Sequence, residues 1–284
     1  MPEAYSRKLE KAFTTSQLCV GIDPHSELLV EEGLADSVQG LEYFSFKLLE
    51  ELSSVVSIVK PQVSFFERFG SSGFAVLEKL LLEAQSQKMF TIVDVKRGDI
   101  GSTMDAYGLA WLAKSAPFVA DAITVNPFLG LGTIEQTLSV AIEQGKGIFC
   151  LCATSNPEAL SIQTSQIGGV TLSQRIATDV AALNDATRVA KSRFGNLGLV
   201  VGATVDQLSL GLAIDQERSE NLTPILAPGF GHQGARLKEA GRTFFRNRDS
   251  LIASISRSAL RDGLQNVGRV VREDVAALNV ALKS

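Results

Sequence analysis

Along the chain, short runs of almost unbroken hydrophobics alternate with longer stretches in which apolar residues recur every three or four positions. Eight such runs stand out: LCVGID (18–23), VVSIVKP (55–61), MFTIVDV (89–95), DAITVNP (121–127), GIFCLCAT (147–154), LGLVVGAT (197–204), LTPILAPG (222–229) and SLIASIS (250–256). Runs that are apolar at every position suit strands covered on both faces, as in a parallel sheet wrapped by helices. The stretches between them carry the helical period. In GLEYFSFKLLEELSS, Leu41, Phe44, Leu48, Leu49 and Leu52 trace one face. GSSGFAVLEKLLLEAQSQK, GVTLSQRIATDVAALNDATRVAKSRFG and the closing REDVAALNVALKS read as helices too. Eight strand–helix units in 284 residues predict one (β/α)8 barrel domain spanning residues 1–284. A doubly wound open sheet competes, but no G-x-G-x-x-G follows the first strand, which counts against a dinucleotide-binding version.

Two stretches exceed what the repeat needs. An excursion at about 155–170 precedes the helix after the fifth strand. The segment 229–249, GFGHQGARLKEAGRTFFRNRD, holds five basic residues and reads as a mobile lid or as a solvated helix.

Composition narrows the function. The chain is 45% hydrophobic and 20% charged with a net charge of −4, an ordinary globular profile. No basic tail or arginine-rich stripe calls for nucleic acid. The N-terminus, MPEAYSRKLEKAF, lacks the apolar core of a secretory signal, and no apolar run is long enough to span a bilayer. A cytoplasmic protein with no membrane partner is the expectation. Cys19, Cys150 and Cys152 lie in apolar runs and read as buried reduced thiols rather than a C-x-x-C pair. His25 and His232 are far apart, and without Cys/His ligand spacing no metal site is predicted.

In a barrel of this kind the C-terminal strand ends converge on the active site. Those ends carry Asp23 on the first strand, Lys60 on the second, and Asp94 followed by Lys96 on the third. Thr154 and Ser155 end the fifth, Pro228 and Gly229 the seventh, and Ser256 and Arg257 the eighth. The densest stretch is TIVDVKRGDIGST (91–103). Asp94 and Lys96 are two apart, so an extended backbone points both to one side. Gly98 permits a bend that brings Asp99 toward the same region, and Lys60 approaches from the neighbouring strand. The predicted result is an alternating Lys60–Asp94–Lys96–Asp99 array that holds Lys96 protonated and ready to act as an acid; a structural ion-pair network is the plainer reading. After the last two strands, Gly229, Gly231 and Gly234 offer approachable backbone amides, Gln233 a side-chain donor and Arg257 a charge. That pairing, on the strands where this fold recurrently binds phosphate, predicts a phosphate ligand.

These residues also resemble a family. DVKRGDIGST resembles the D-x-K-x-x-D-I signature of the orotidine 5′-phosphate decarboxylases. LCVGIDPH, VKPQVSFFERFG, LCATSNP, APGFGHQG and SISRSAL agree with it in order across nearly the whole chain, most closely with the longer bacterial-type (type 2) subgroup. The resemblance implies a lyase of pyrimidine (UMP) biosynthesis that converts orotidine 5′-monophosphate to UMP without cofactor or metal. It implies Lys96 as proton donor to C6, Asp94 beside the substrate carboxylate, and Lys60 holding Asp94 and the ribose. Asp99 would reach across the interface of a homodimer into the partner's site, and Thr103 would likewise touch the ribose there. Asp23 would bind a ribose hydroxyl, Ser155 the pyrimidine amide, and Gln233 and Arg257 the phosphate. Arg97, between the motif positions, reads as solvated, His25 as a surface-loop residue, and Trp111 as packing.

Two rivals remain at this point. A metal-dependent sugar-phosphate decarboxylase or synthase shares the barrel and motif, but uses an acidic residue after the second strand, where this chain has Lys60. A non-catalytic phosphate-binding barrel would have no use for a positioned proton donor.

Overall fold

A computed structural model of the protein describes residues 3–212 and 221–283. Eight strands form a closed barrel in sequence order: β1 (Leu18–Ile22), β2 (Ile58–Pro61), β3 (Phe90–Arg97), β4 (Ala122–Val125), β5 (Gly147–Ala153), β6 (Leu197–Val201), β7 (Ile225–Pro228) and β8 (Leu251–Ile255). Every pairing is parallel, and β8 closes on β1 through Leu18 opposite Ala253. The strands are those the unbroken apolar runs predict, because one face meets the barrel interior and the other the helices.

The helices are α1 (Tyr5–Thr15), α2 (Val38–Leu52), α3 (Gly70–Ser86), α4 (Gly101–Leu112), α5 (Glu135–Glu143), α6 (Leu172–Ala186) and α7 (Val267–Lys283), with short helical turns between them. In α2 the five residues of the predicted stripe are all buried, and the Ser37 side chain caps the helix by accepting from the Gly40 N–H at 3.2 Å. Thr171 caps α6 in the same way, and α6 stops at Ala186, short of the stretch expected from the sequence. In contrast, α7 begins at Val267, earlier than the amphipathic segment suggested, and buries Val267, Val270 and Val271 against the barrel.

The inside of the barrel is layered. Cys19, Ile58, Phe90, Ile92, Ala122, Phe149, Val200, Leu226 and Ile252 form an apolar cluster together with Tyr5, Leu9 and Ala12 of α1. Helix α1, polar in its average composition, is therefore a plug for the N-terminal end. The Tyr5 ring passes so close to Gly147 that a Cβ there would lie 2.3 Å from it, which accounts for glycine at the start of β5. With the lower interior filled by hydrocarbon, the open cavity and its polar lining lie at the C-terminal ends.

The excursion after β5 is a short helix, Ala159–Gln163, followed by a two-stranded hairpin of Gln166–Ile167 and Val170–Thr171. Gln163 ties it to the strand end, donating to Thr154 Oγ1 at 2.9 Å and accepting the Thr154 N–H at 3.0 Å. Within 229–249 only the first part borders the barrel mouth. Helical turns from Leu237 onward bury Ala240, Gly241 and Phe244, and Gly241 packs on the backbone of Ala281 in α7. No helix among the described residues is long and apolar enough to cross a membrane.

Candidate active site

A cavity of about 390 Å3 opens at the C-terminal end of the barrel. Its floor is built on β2, β3 and β4. Lys60 and Asp94 are buried side chains on adjacent strands, with Lys60 Nζ 3.3 Å from Asp94 Oδ2. Lys96 Nζ lies 2.6 Å from the same oxygen, and its side chain stays 45% exposed where Asp94 is 9%. Gln62 Nε2 donates to Asp94 Oδ2 at 2.8 Å, and the buried Thr124 hydroxyl donates to Asp94 Oδ1 at 2.7 Å. The carboxylate thus receives four donors, two of them cationic.

The electrostatics follow from that geometry. Burial alone would raise the Asp94 pKa, but the charges of Lys60 and Lys96, with hydrogen bonds from Lys96 and Thr124, pull it down to about 2. Burial likewise acts to depress the Lys60 ammonium, and the carboxylates of Asp94 and Asp23 outweigh it, holding this lysine above the usual range. Asp94 is a fixed anion and Lys60 a fixed cation throughout the neutral range.

The strand does not bring Lys96 beside Asp94 by simple alternation. Val93 faces Ile123 and Arg97 faces Val125, so β3 carries two residues more than β4 over this interval. Lys96 takes up the excess with a left-handed φ of +45°, a conformation that costs energy in a non-glycine residue. Its N–H donates to Thr124 Oγ1 at 2.9 Å. The bend at Gly98 does not return Asp99 to the group: its carboxylate accepts the adjacent Ile100 N–H at 2.8 Å, and it is not among the cavity-lining residues. Thr103 is exposed on the first turn of α4 and also lies outside the cavity.

The rim is built from loops. Asp23 follows β1 and accepts from Ser256 Oγ at 2.5 Å, while its buried Oδ1 accepts nothing from the described residues. Ser155 Oγ donates to Gln233 Oε1 at 3.1 Å across the mouth, joining the ends of β5 and β7. Arg257 Nη1 meets His232 Nε2 at 3.1 Å. In the turn after β7, Gly229, Gly231 and Gly234 all have positive φ. Gly231 also lies over Ser258, where a Cβ would come within 2.2 Å of its hydroxyl, so no larger residue fits. Among the described residues, the backbone amides of Phe230, His232 and Gln233 donate to no protein group.

Two readings of the sequence change here. His25 is not a surface-loop residue: it lines the cavity, packed on the Phe65 ring with centroids 4.1 Å apart, and burial and then the Arg257 charge lower its pKa. Arg97 is not merely solvated. The extra residues in β3 turn it outward, 2.8 Å from Glu67 Oε1 and over the Tyr107 ring. His232 reaches the cavity through its contact with Arg257. Trp111 is buried and stacked on Phe118, as expected of a packing residue, and the three cysteines are buried and unpaired. Sequence reasoning missed Gln62 and Thr124. Gln62 stood in a quoted motif two residues after Lys60; Thr124 sat inside an apolar run with nothing to single it out.

Comparison with known proteins agrees on one family. The model described as Orotidine 5′-phosphate decarboxylase / HUMPS family matches residues 16–265. An orotidine 5′-phosphate decarboxylase of Corynebacterium efficiens is 42% identical over 273 residues, covering 95% of this chain and 94% of its own. One from Streptomyces coelicolor is 41% identical over 282 residues, covering 98% and 94%. A crystal structure from Streptomyces avermitilis, assigned to the same activity, superposes with a TM-score of 0.91 at 37% identity, covering 100% of this chain and 98% of that one. The Leishmania donovani OMP decarboxylase superposes at 0.78 with 26% identity over 99% and 100% of the two chains. With the family model covering most of the barrel and the relatives aligned nearly end to end, this chain belongs to the orotidine 5′-phosphate decarboxylase / HUMPS family.

Proposed function

We propose that the protein decarboxylates orotidine 5′-monophosphate to UMP in pyrimidine biosynthesis, with Lys96 as the proton donor. The observation that carries this reading is the floor of the cavity. One carboxylate is clamped between a buried lysine and a lysine open to the ligand, and relatives that bear the decarboxylase name match almost the whole chain. Breaking the bond between C6 and the carboxylate releases CO2 and leaves an electron pair on a ring carbon with no adjacent carbonyl to spread it. A fixed ammonium beside that carbon stabilises the charge as it develops. Its N–H proton then passes to C6, leaving a neutral amine that solvent reprotonates through the open mouth. Lys60 keeps Asp94 ionised, and Asp94 keeps Lys96 in place while presenting like charge to the departing carboxylate.

The rim fits the rest of the nucleotide. Gln233, Arg257 and the free amides of the glycine turn suit the phosphate. The unsatisfied Asp23 Oδ1 suits a ribose hydroxyl, and Ser155 suits the pyrimidine amide. Phosphate contacts remote from C6 supply binding energy that the reacting centre draws on. No cofactor is assigned a step, and a cationic Lys60 next to Asp94 repels the divalent ion that the sugar-phosphate branch of the family would need.

The same reading includes a cytoplasmic homodimer with Asp99 and Thr103 serving the partner's site. Both lie outside their own cavity, next to Ile100 at 61% exposure and a loop carrying Phe128 at 76%. Apolar side chains at that exposure suit a covered interface. The test is conversion of orotidine 5′-monophosphate in excess EDTA by wild type and Lys96→Ala. General-acid loss predicts a fall in kcat of at least about 10²- to 10⁴-fold. A wild type that is inert until magnesium and a sugar phosphate are supplied would sink the assignment. Mixing inactive Lys96→Ala with inactive Asp99→Ala restores activity if the site is shared; no recovery under subunit exchange argues for sites complete within one chain.

A further inference from the structure

Thr124 stands at the one point where the two unusual features of the floor meet. Its single hydroxyl donates to Asp94 Oδ1 at 2.7 Å and accepts the Lys96 N–H at 2.9 Å. The first contact fixes the plane of the carboxylate that Lys60, Lys96 and Gln62 grip from its other oxygen. The second fixes the backbone of Lys96 where β3 departs from register and φ is +45°. A left-handed lysine held by the chain alone would relax toward ordinary strand geometry, and that rotation swings the ammonium off line. The backbone bond that resumes the ladder, Asn126 N–H to Arg97 O at 2.8 Å, lies one residue beyond and does not hold Lys96 itself. Thr124 is 1% exposed and on rigid β4, so its rotamer is locked by packing.

We propose that Thr124 is a positioning residue of the decarboxylase: it sets the bulge that aims the Lys96 ammonium and orients the Asp94 carboxylate against it, without touching the reacting atoms. The proposal rests on the assignment of Lys96 as proton donor. A valine at 124 keeps the volume and the branched shape but removes both hydrogen bonds; a serine keeps the hydroxyl and loses a methyl group. Displacement of a catalytic group by about 1 Å costs on the order of 10²-fold in rate.

The test measures kcat and KM for orotidine 5′-monophosphate, and the Kd for UMP, in wild type, Thr124→Val and Thr124→Ser. UMP reads the phosphate, ribose and base contacts without the bond-breaking step. The expected result is a loss of about 10²-fold in kcat for Thr124→Val with the UMP Kd and Tm close to wild type, and near-complete rescue in Thr124→Ser. Wild-type kcat in Thr124→Val overturns the proposal. So does a parallel loss of UMP binding and Tm with no rescue by serine, because that pattern marks a structural role. Inactivity of the wild type itself removes the parent assignment and this inference together, and is told apart by appearing before any substitution.

Discussion

The floor and the rim of the cavity solve different problems with similar side chains. On the floor, every charged group is already engaged by the protein: Asp94 takes four donors, and Lys60 is buried against it. At the rim, polar groups lean on one another or on nothing. Ser155 pairs with Gln233, Arg257 with His232, and one Asp23 oxygen is buried without a donor among the described residues. The floor sits on strands whose backbone is held in the barrel, the rim on loops. On the proposed mechanism, a floor that stabilises a short-lived carbanion gains from groups that need not move, whereas a rim that admits and releases a nucleotide gains from groups that exchange partners. Removing the buried charge of the floor should therefore cost fold stability as well as rate. Removing a rim residue should cost binding alone.

The largest expected effect comes from Asp94→Ala. It leaves Lys60 buried beside no carboxylate except the more distant Asp23, and an uncompensated buried charge costs about 3–5 kcal/mol. For a chain of this size Tm should fall by on the order of 10 °C, together with loss of decarboxylation. Thermal unfolding at neutral pH checks it; an unchanged Tm would mean that the ion pair contributes nothing to the fold.

The same carboxylate gives an acid limb. Its folded pKa of about 2 lies below its unfolded value of 3.8, so its contribution is present above about pH 4 and is lost as pH falls through 2. The size is about 2 kcal/mol for the coupled group. Lys60 works in the opposite direction: raised in the fold, it contributes below its unfolded value of 10.5 and is lost only at alkaline pH above it. Denaturant melts between pH 2 and 5 should show the acid slope in wild type and a shallower one in Asp94→Asn. Equal slopes would assign the acid loss to other carboxylates.

How much of this was legible in the sequence divides along the same line. The strands were legible because each contains a run of apolar residues covered on both faces, such as LCVGI in β1, every position of which is buried. The floor charges were legible because Lys60, Asp94 and Lys96 sit at the ends of such runs, where charge is costly without a purpose. The bulge in β3 was not. Alternation predicted the right neighbours for the wrong reason, since nothing in DVKRG announces that Lys96 adopts a left-handed φ. Thr124 and the plug formed by Tyr5 and Leu9 were equally hidden, because a threonine in a strand and a tyrosine in a polar helix are ordinary until tertiary contacts give them partners. His25 was misread because its packing on Phe65 joins the loop after β1 to a short helix, Val63–Glu67, 40 positions further on.

The smallest expected effect sharpens the rim side of the comparison. Ser155 and Gln233 hydrogen bond to each other at 3.1 Å from different strand ends, and the proposed function gives each a contact with the nucleotide. A neutral hydrogen bond is worth about 0.5–1.5 kcal/mol net, so Ser155→Ala should raise KM by no more than about 10-fold. Ser155→Ala and Gln233→Ala should both keep kcat at saturating substrate and the wild-type Tm, since neither residue holds the barrel together. Their direct contact makes the double variant less harmful than the sum of the two, with a coupling of roughly 1 kcal/mol in a double-mutant cycle on KM. Strict additivity would show that the ligand breaks this pair on entry and that each side chain then acts alone. A loss of Tm in either single variant would instead place the rim with the floor, and the division between preorganised and exchangeable halves of the site would have to be given up.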